Sequence, residues 1–372
     1  MHKHILITGG AGFIASHLAD ELLSRGYQVR AVDNLSSQVH GSERKRPSYL
    51  SSEVELLSGD IRNTDFIRRA LIGIDAVFHF AAMVGVGQSM YRICDYMSVN
   101  DVGTAALLEA IIEQPVERLV VASSMSIYGE GLYRTRDGEI CCGTQRTVEQ
   151  LRAGDWELRG SDGEELLPIP TPESKAPQLS SIYALSKYDQ ERMCLMIGQA
   201  YGISTVALRF FNVYGEHQAL SNPYTGVLAI FASRLLNDKP PMIFEDGRQR
   251  RDFVSVHDVK QACRLALEAS EASGQVFNIG SGNSYSIDEI AGRMARVMGC
   301  GFVEPQIMGQ YRAGDIRHCF ADITAARKVL GYEPRTSLDD GISRLACWLE
   351  GKPAVDRVVE AVTELASRGL TI

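Results

Sequence analysis

The chain has 372 residues, of which 45% are apolar and 23% charged, enough to bury one large core or two modest ones. Its 38 basic and 46 acidic residues leave a net charge of −8, which excludes a general attraction for nucleic acid or anionic membrane, so any phosphate must be held by local groups. Eight cysteines without regular spacing fit reduced, cytosolic thiols, and neither a signal-peptide core after Met1 nor a run of about 18 apolar residues is present, so a cytoplasmic protein with no membrane partner is expected.

Ile5–Thr8, Gln28–Val32, Val54–Leu57, Ala76–Phe80, Leu119–Ala122 and Thr205–Leu208 read as buried strands, separated by helix-period segments such as Ile14–Arg25 and Val102–Ile112. This alternation predicts the α/β class, a Rossmann-type doubly wound parallel sheet with crossover helices on both faces. Residues 1–212 form this dinucleotide-binding domain, interrupted from about Gly131 to Gln178 by a polar stretch dense in Gly, Arg, Glu and Pro that reads as an insertion. Beyond Asn212 the alternation weakens, and Pro223, Pro240-Pro241, Gly280-Ser-Gly282 and Gly299-Cys-Gly301 punctuate shorter elements. Residues 213–350 are therefore expected to form mainly a smaller C-terminal α/β lobe that binds substrate, and 351–372 a helical tail.

Thr8-Gly-Gly-Ala-Gly-Phe-Ile-Ala15 follows the first strand and opens the first helix. Glycines here let the backbone approach a pyrophosphate while the helix N-terminus supplies N–H donors and positive dipole, which makes Gly9, Gly12, Phe13 and Ile14 the expected cofactor contacts. The second strand ends at Asp33, 21 residues past Gly12, with Asn34 beside it. A carboxylate there accepts hydrogen bonds from ribose hydroxyls and repels a 2′-phosphate, selecting NAD over NADP. Asp60-Ile61 closes the third strand and is expected to meet the adenine. Phe80-Ala81-Ala82 ends the fourth and leaves room for cofactor backbone. Asn100 starts the next helix, where capping and an active-site role are both open.

Leu119-Val-Val-Ala-Ser-Ser124 presents hydroxyls at the carboxyl end of a strand, where open α/β sheets bind ligands. Tyr183-Ala-Leu-Ser-Lys187 puts a phenol and an ammonium on one helix face at i and i+4. The cation is expected to lower the tyrosine pKa from about 10 towards neutrality, giving a base that takes a hydroxyl proton while hydride leaves.

At these residues the chain resembles the extended short-chain dehydrogenase/reductase superfamily, and within it the nucleotide-sugar epimerases and dehydratases. The likeness runs through Thr8–Ala15, Phe78-His-Phe-Ala-Ala82, Asn100-Asp-Val-Gly-Thr104, Ser123-Ser-Met-Ser-Ile-Tyr-Gly129, Tyr183–Lys187, Arg209-Phe-Phe-Asn-Val-Tyr-Gly215 and Arg251-Asp-Phe-Val-Ser-Val-His-Asp258, nearly the whole chain. Ala15 departs from it, standing where relatives often have Gly. The resemblance implies Tyr183 as base, Lys187 as its electrostatic partner and ribose contact, and Ser124 as hydrogen-bond donor to the reacting sugar oxygen. It also implies Ser126 and Asn212 as substrate contacts and Arg251 and Arg312 as holders of the diphosphate. Sugar dehydratases of this family carry an Asp-Glu pair after the active-site hydroxyl, where this chain has Met125 and Ser126, which supply neither the acid nor the base that elimination needs. The implied activity is thus an NAD-dependent 4-epimerase of a dTDP-6-deoxyhexose. A UDP-hexose 4-epimerase, a 4,6-dehydratase or ketoreductase, and a non-catalytic dinucleotide sensor are the alternatives, and a homodimer is implied at the level of the family.

The insertion separates Ser124 from Tyr183 by 59 residues. Its Gln150–Glu157 and Pro170–Glu173 resemble an insert of the dTDP-L-rhamnose 4-epimerase-like group, some of which carry paired cysteines that read as a zinc clip. This chain has only Cys141-Cys142, with Gly160 and Gly163 where a second pair would stand, so no metal is expected. Surface elaboration, dimer contact and substrate lid are all open readings, with Trp156 the expected anchor in each.

Overall fold

The computed structural model describes residues 3–220, 222, 224, 226–352 and 355–371. Met1, His2, Pro223 and positions 353, 354 and 372 of the expected tail lie outside the described residues. Seven strands form one parallel sheet: β1 (His4–Thr8), β2 (Gln28–Asp33), β3 (Glu55–Ser58), β4 (Ala76–His79), β5 (Arg118–Ser124), β6 (Ser204–Phe210) and β7 (Val276–Ile279), in the spatial order β7-β6-β5-β4-β1-β2-β3. The longer helices are α1 (Phe13–Ser24), α2 (Thr64–Ala70), α3 (Gly103–Glu113), α4 (Ile182–Tyr201), α5 (Val227–Leu235), α6 (Val256–Glu268), α7 (Ile287–Val297), α8 (Leu338–Leu349) and α9 (Val358–Ser367).

Successive strand residues point to opposite faces, and the apolar runs divide accordingly. Ile5, Ile7, Phe78, Val120 and Val206 pack with Leu18 and Leu22 of α1 and Val259 and Ala262 of α6. On the other face Leu6, Val77, Leu119 and Val121 pack with Ile67 of α2, Leu107 and Ile111 of α3 and Cys194 of α4. The boundary expected at residue 212 is crossed again: α6 and β7 return to the large sheet, where Ile279 pairs with Phe210 of β6. The polar Asn278 hides this strand in the sequence, because its buried amide is satisfied only by Tyr128, Thr171 and Asp322 from distant segments. The smaller lobe packs Leu228 and Phe231 of α5, Ile290 and Met294 of α7, and Ile342 and Leu345 of α8 into a core of its own.

The insertion is ordered. Strands Leu132–Arg134, Ile140–Cys142 and Leu167–Ile169 form an antiparallel sheet over Tyr133, Leu158 and Leu166, so these side chains anchor it in place of the expected Trp156, which is half-buried. A buried ion cluster clamps the insert to the smaller lobe. Arg317, with no exposed surface, pairs with Glu157 of the insert and with Glu245 at 2.8 Å and Asp246 at 2.7 Å. Arg146 pairs with Glu245 at 2.9 Å, and Glu130 accepts from the Arg317 N–H at 2.8 Å and from the Tyr133 hydroxyl at 2.8 Å. Among the described residues no helix is long and apolar enough to cross a membrane, and no group of three or more His, Cys, Asp or Glu side chains could hold a metal ion.

Removing one member of a buried ion cluster leaves charges without partners, at about 3–5 kcal/mol. Arg317→Met should lower the unfolding free energy in urea by that order, whereas Lys3→Ala, whose partner Glu117 is 65% exposed, should change it by less than about 0.5 kcal/mol. Burial alone would raise the Glu157 pKa, but hydrogen bonds from His318 and Arg317 outweigh it and hold the carboxyl at about 2. Its folded value lies below the unfolded one of about 4.3, so its contribution is complete above the latter and is lost as pH falls through about 2. Glu157→Gln should therefore be destabilised at neutral pH and converge on the parent near the acid end of a pH-stability series.

Candidate active site

The strand order reverses between β1 and β4, and a cleft of about 900 Å³ opens there along the carboxyl edge of the sheet, running on into the smaller lobe. At its floor Gly9 turns with φ +68°, and a Cβ there would stand 2.9 Å from the Ala81 nitrogen. Helix α1 starts at Gly12 without a side-chain cap, so its first N–H groups are available to an anion. Asp33 is held by the N–H of Ala11 at 3.0 Å and of Leu35 at 2.8 Å, with its carboxylate on the cleft. Gly9, Gly12, Phe13, Ile14, Asn34, Ile61, Phe80, Ala81 and Ala82 line the same cleft. A bare glycine turn, an uncapped helix start and a fixed strand-end carboxylate fit a dinucleotide of the NAD type.

Two expected contacts are placed elsewhere. Asp60 follows β3 after two residues, and Arg62 holds both its oxygens at 2.6 and 2.8 Å, so Ile61 and Gly59 line the cleft without it. Asn100 does not begin an α-helix but sits in the π-helical turn Ser98–Val102, fully buried behind the cleft wall. Its amide accepts from Met83 N–H at 2.7 Å and donates to Ser186 at 2.9 Å, fixing the Met83 backbone to α4. His217 was not legible as a site residue. It has φ +71° and stacks between Tyr49 and His17 at 4.5 and 4.7 Å, while the Tyr49 hydroxyl donates to Ala11 O at 3.0 Å and braces the glycine turn.

Ser124 ends β5, and its hydroxyl accepts from Ser126 Oγ at 2.9 Å as Met125–Tyr128 curls into a 3-10 turn. Helix α4 begins on the Ser181 cap, and Ser89 Oγ accepts from Tyr183 N–H at 3.0 Å. Ser124, Ser126, Tyr183 and Lys187 all reach the cleft. The electrostatics differ from the sequence expectation. Burial raises the Tyr183 pKa, opposed by a hydrogen bond with Ser124, and burial lowers Lys187 to about 8. Lys187 Nζ donates to Gln190 Oε1 at 2.6 Å.

At the other end, Asn212, Arg251 and Arg312 line the cleft. Asn212 Oδ1 is buried without a hydrogen-bond partner, Arg251 donates to Arg317 O at 2.8 Å, and Arg312 grips Asp315 at 2.9 and 3.0 Å. No residue from 127 to 179 lines the cleft. A different segment covers it. Val358, Ala361, Val362 and Leu365 of α9, spaced i, i+3, i+4 and i+7, form an apolar stripe on the cleft. Asp356 ties α9 to Arg234 at 3.1 Å, the Tyr224 hydroxyl donates to Glu364 at 3.2 Å, and Ala313 N–H donates to Leu370 O at 2.8 Å. A Cβ at Gly87 would stand 3.3 Å from Leu365, and Gly87 lies on the same turn as Ser89, so the stripe reaches the Tyr183 end of the cleft.

Fold and site together define an NAD-dependent enzyme of the extended short-chain dehydrogenase/reductase type. The chain belongs to the NAD dependent epimerase/dehydratase family, whose profile matches residues 5–148 and 158–280. It is 36% identical over 354 residues to dTDP-L-rhamnose 4-epimerase of Burkholderia thailandensis, covering 93% of this chain and 95% of that protein. A putative UDP-glucose 4-epimerase of Methanocaldococcus jannaschii is 30% identical, over 93% of this chain and 98% of that one. The structure of UDP-glucose 4-epimerase with UDP-glucose from Thermotoga maritima matches with a TM-score of 0.75 at 31% identity, covering 93% of this chain and 98% of that chain.

A charge placed in the α9 stripe should be felt by substrate alone. Val362→Asp is expected to raise KM for the sugar nucleotide by about tenfold, some 1.4 kcal/mol, with the content of bound NAD unchanged on extraction. An unaltered KM would remove α9 from the binding site.

Proposed function

We propose that the protein is a nucleotide-sugar 4-epimerase acting on a dTDP-6-deoxyhexose. The observation that carries the reaction type is the convergence of Ser124, Tyr183 and Lys187 on one cleft wall beside the glycine turn, with Met125 and Ser126 offering no acid-base pair for elimination. Likeness to the Burkholderia thailandensis protein supports the substrate. The similar likeness to UDP-glucose 4-epimerases favours a UDP-hexose as the second reading.

Tyr183 takes the proton of the sugar C4 hydroxyl as the carbonyl forms, and Ser124 donates a hydrogen bond to that oxygen. Lys187 supplies the positive field that brings down a phenol which burial holds high. Gly9, Gly12 and Asp33 would hold NAD, which would supply the hydride acceptor for C4 and the donor for its return. Between the two transfers Arg251 and Arg312 keep the diphosphate in place while the 4-keto sugar turns about its linkage, and Tyr183 gives its proton back as the opposite face is reduced. Asn212, with its unpartnered buried oxygen, is the polar contact on the same side. Exposed apolar side chains on and before α3 and α4, Val102 at 57% and Met196 at 52%, support a homodimer built on these helices.

Incubation with dTDP-L-rhamnose and with UDP-glucose, followed by NMR of the C4 configuration, separates the two readings. Inversion of neither, or steady consumption of added NADH, would refute epimerisation. Tyr183→Phe should lower kcat by about 10²–10⁴ with NAD still bound, the loss expected for a general base.

A further inference from the structure

Behind the catalytic pair a buried polar chain runs from Lys187 to the head of the glycine turn. Gln190 Oε1 accepts from Lys187 at 2.6 Å, and Gln190 Nε2 lies 2.9 Å from Thr104 Oγ1 and 3.3 Å from Ala81 O. His79 Nε2 is 2.8 Å from Thr104 Oγ1, and His79 Nδ1 is 2.8 Å from Thr8 Oγ1. Thr8, Thr104 and Gln190 have no exposed surface, His79 has 1% and Lys187 has 3%.

Counting protons orients the chain. Thr8 Oγ1 accepts from the N–H groups of Phe80 and Ala81, both at 3.1 Å, which occupies its two lone pairs, so its own proton goes to His79 Nδ1. His79, kept neutral by burial with a pKa near 3, then carries its proton on Nε2 and donates to Thr104. Thr104 passes its proton to Asn100 O. The two Gln190 amide protons go to Thr104 Oγ1 and Ala81 O, leaving the 3.1 Å approach to His79 Nε2 as a contact and Oε1 as the acceptor facing Lys187. The titratable groups around Lys187 are Asp101, Glu191, Cys194, His79 and Tyr183. Glu191 is taken up by Arg209 at 2.7 Å and Ser123 at 2.6 Å, Asp101 Oδ1 is buried without a hydrogen-bond partner, and the ammonium donates to Gln190.

We propose that Gln190 is a positioning residue for the reaction, holding the Lys187 ammonium against the cleft and tying it through Thr104, His79 and Thr8 to the Phe80-Ala81 backbone that Gly9 turns against. It rests on the assignment of Tyr183 and Lys187 as the reacting pair. The charge that lowers the phenol and the cradle that receives the cofactor then share one hydrogen-bonded support. Without the Oε1 acceptor, the buried ammonium shifts or gives up its proton and its field at Tyr183 weakens. The phenol pKa rises.

The test compares Gln190→Met, which keeps the length and volume of the side chain but neither accepts nor donates as an amide does, with the parent enzyme. The readouts are the ultraviolet phenolate absorbance of the purified protein against pH, with Tyr183→Phe as the subtraction control, and the pH profile of kcat with whichever of dTDP-L-rhamnose or UDP-glucose is inverted. Expected are a Tyr183 titration and an acid limb of kcat displaced upward by about one pH unit, a kcat at neutral pH lower by about tenfold, and a KM within about twofold. A folded Gln190→Met with the parent's phenol titration and acid limb overturns the proposal. If that variant does not fold, Gln190→Glu serves: its carboxylate pairs with Lys187 and cancels the field, so the same upward displacement is expected and its absence is equally decisive. Turnover surviving in Tyr183→Phe would instead sink the assignment of the base, a separate failure.

Discussion

The cleft exists because one backbone is allowed to lie against another at the point where the sheet reverses direction. Thr8, the last residue of β1, takes the N–H groups of Phe80 and Ala81 just past β4 onto its side-chain oxygen, so the ends of two adjacent strands are pinned together. Gly9 then passes so close to Ala81 that any side chain would collide with its nitrogen. From this contact follow the direction in which α1 leaves, the exposure of its first N–H groups, and the position of Asp33 across the turn. Parallel strands and right-handed crossovers make such a crevice wherever the order reverses, but the glycine makes this one deep enough for a pyrophosphate.

Charge in this protein is managed locally. An overall charge of −8 offers no attraction for a dinucleotide or a nucleotide sugar, and the Lys and Arg side chains that line the cleft are individually braced: Lys187 by Gln190, Arg312 by Asp315, Arg251 by backbone carbonyls, Arg62 by Asp60 and Arg92 by Asp95. Bracing keeps each side chain oriented in a low-dielectric wall and limits the entropy lost when a ligand arrives. The same logic on a larger scale joins the insertion to the smaller lobe through Arg146 and Arg317 and their carboxylates. Such a cluster adds less stability than an apolar contact of equal size, but it tolerates few alternative arrangements, which suits a joint between the insertion and the lobe that lines one end of the cleft.

How far the sequence could be read varied with how local the signal was. Six of the seven strands announced themselves as short β-branched runs, each within one or two residues of its observed ends, and the glycine turn, Asp33, Ser124, Tyr183 and Lys187 all reach the cleft as their spacing implied. The seventh strand did not, since Asn278 breaks its apolar run and is satisfied only by groups that folding brings from 44 to 150 residues away. Asp60 and Asn100 look like cleft residues by position alone. Their side chains were claimed by Arg62 and by Met83 and Ser186, partners that no pattern near them reveals. A helical tail was expected over 351–372, but its apolar stripe and the surface that stripe covers were not.

Local chemistry thus decided the elements and nominated the candidate reacting groups. Strand runs, a glycine turn at a strand end, a carboxylate one strand later and a Tyr-Lys pair one helical turn apart are each complete within about 20 residues, and their geometry follows from backbone periodicity. Only the tertiary structure decided the protonation and surroundings of those groups. Whether the insertion or α9 lines the cleft depends on contacts between segments far apart in the chain. Burial, which here raises the Tyr183 phenol and lowers the Lys187 ammonium, comes into being when the layers pack.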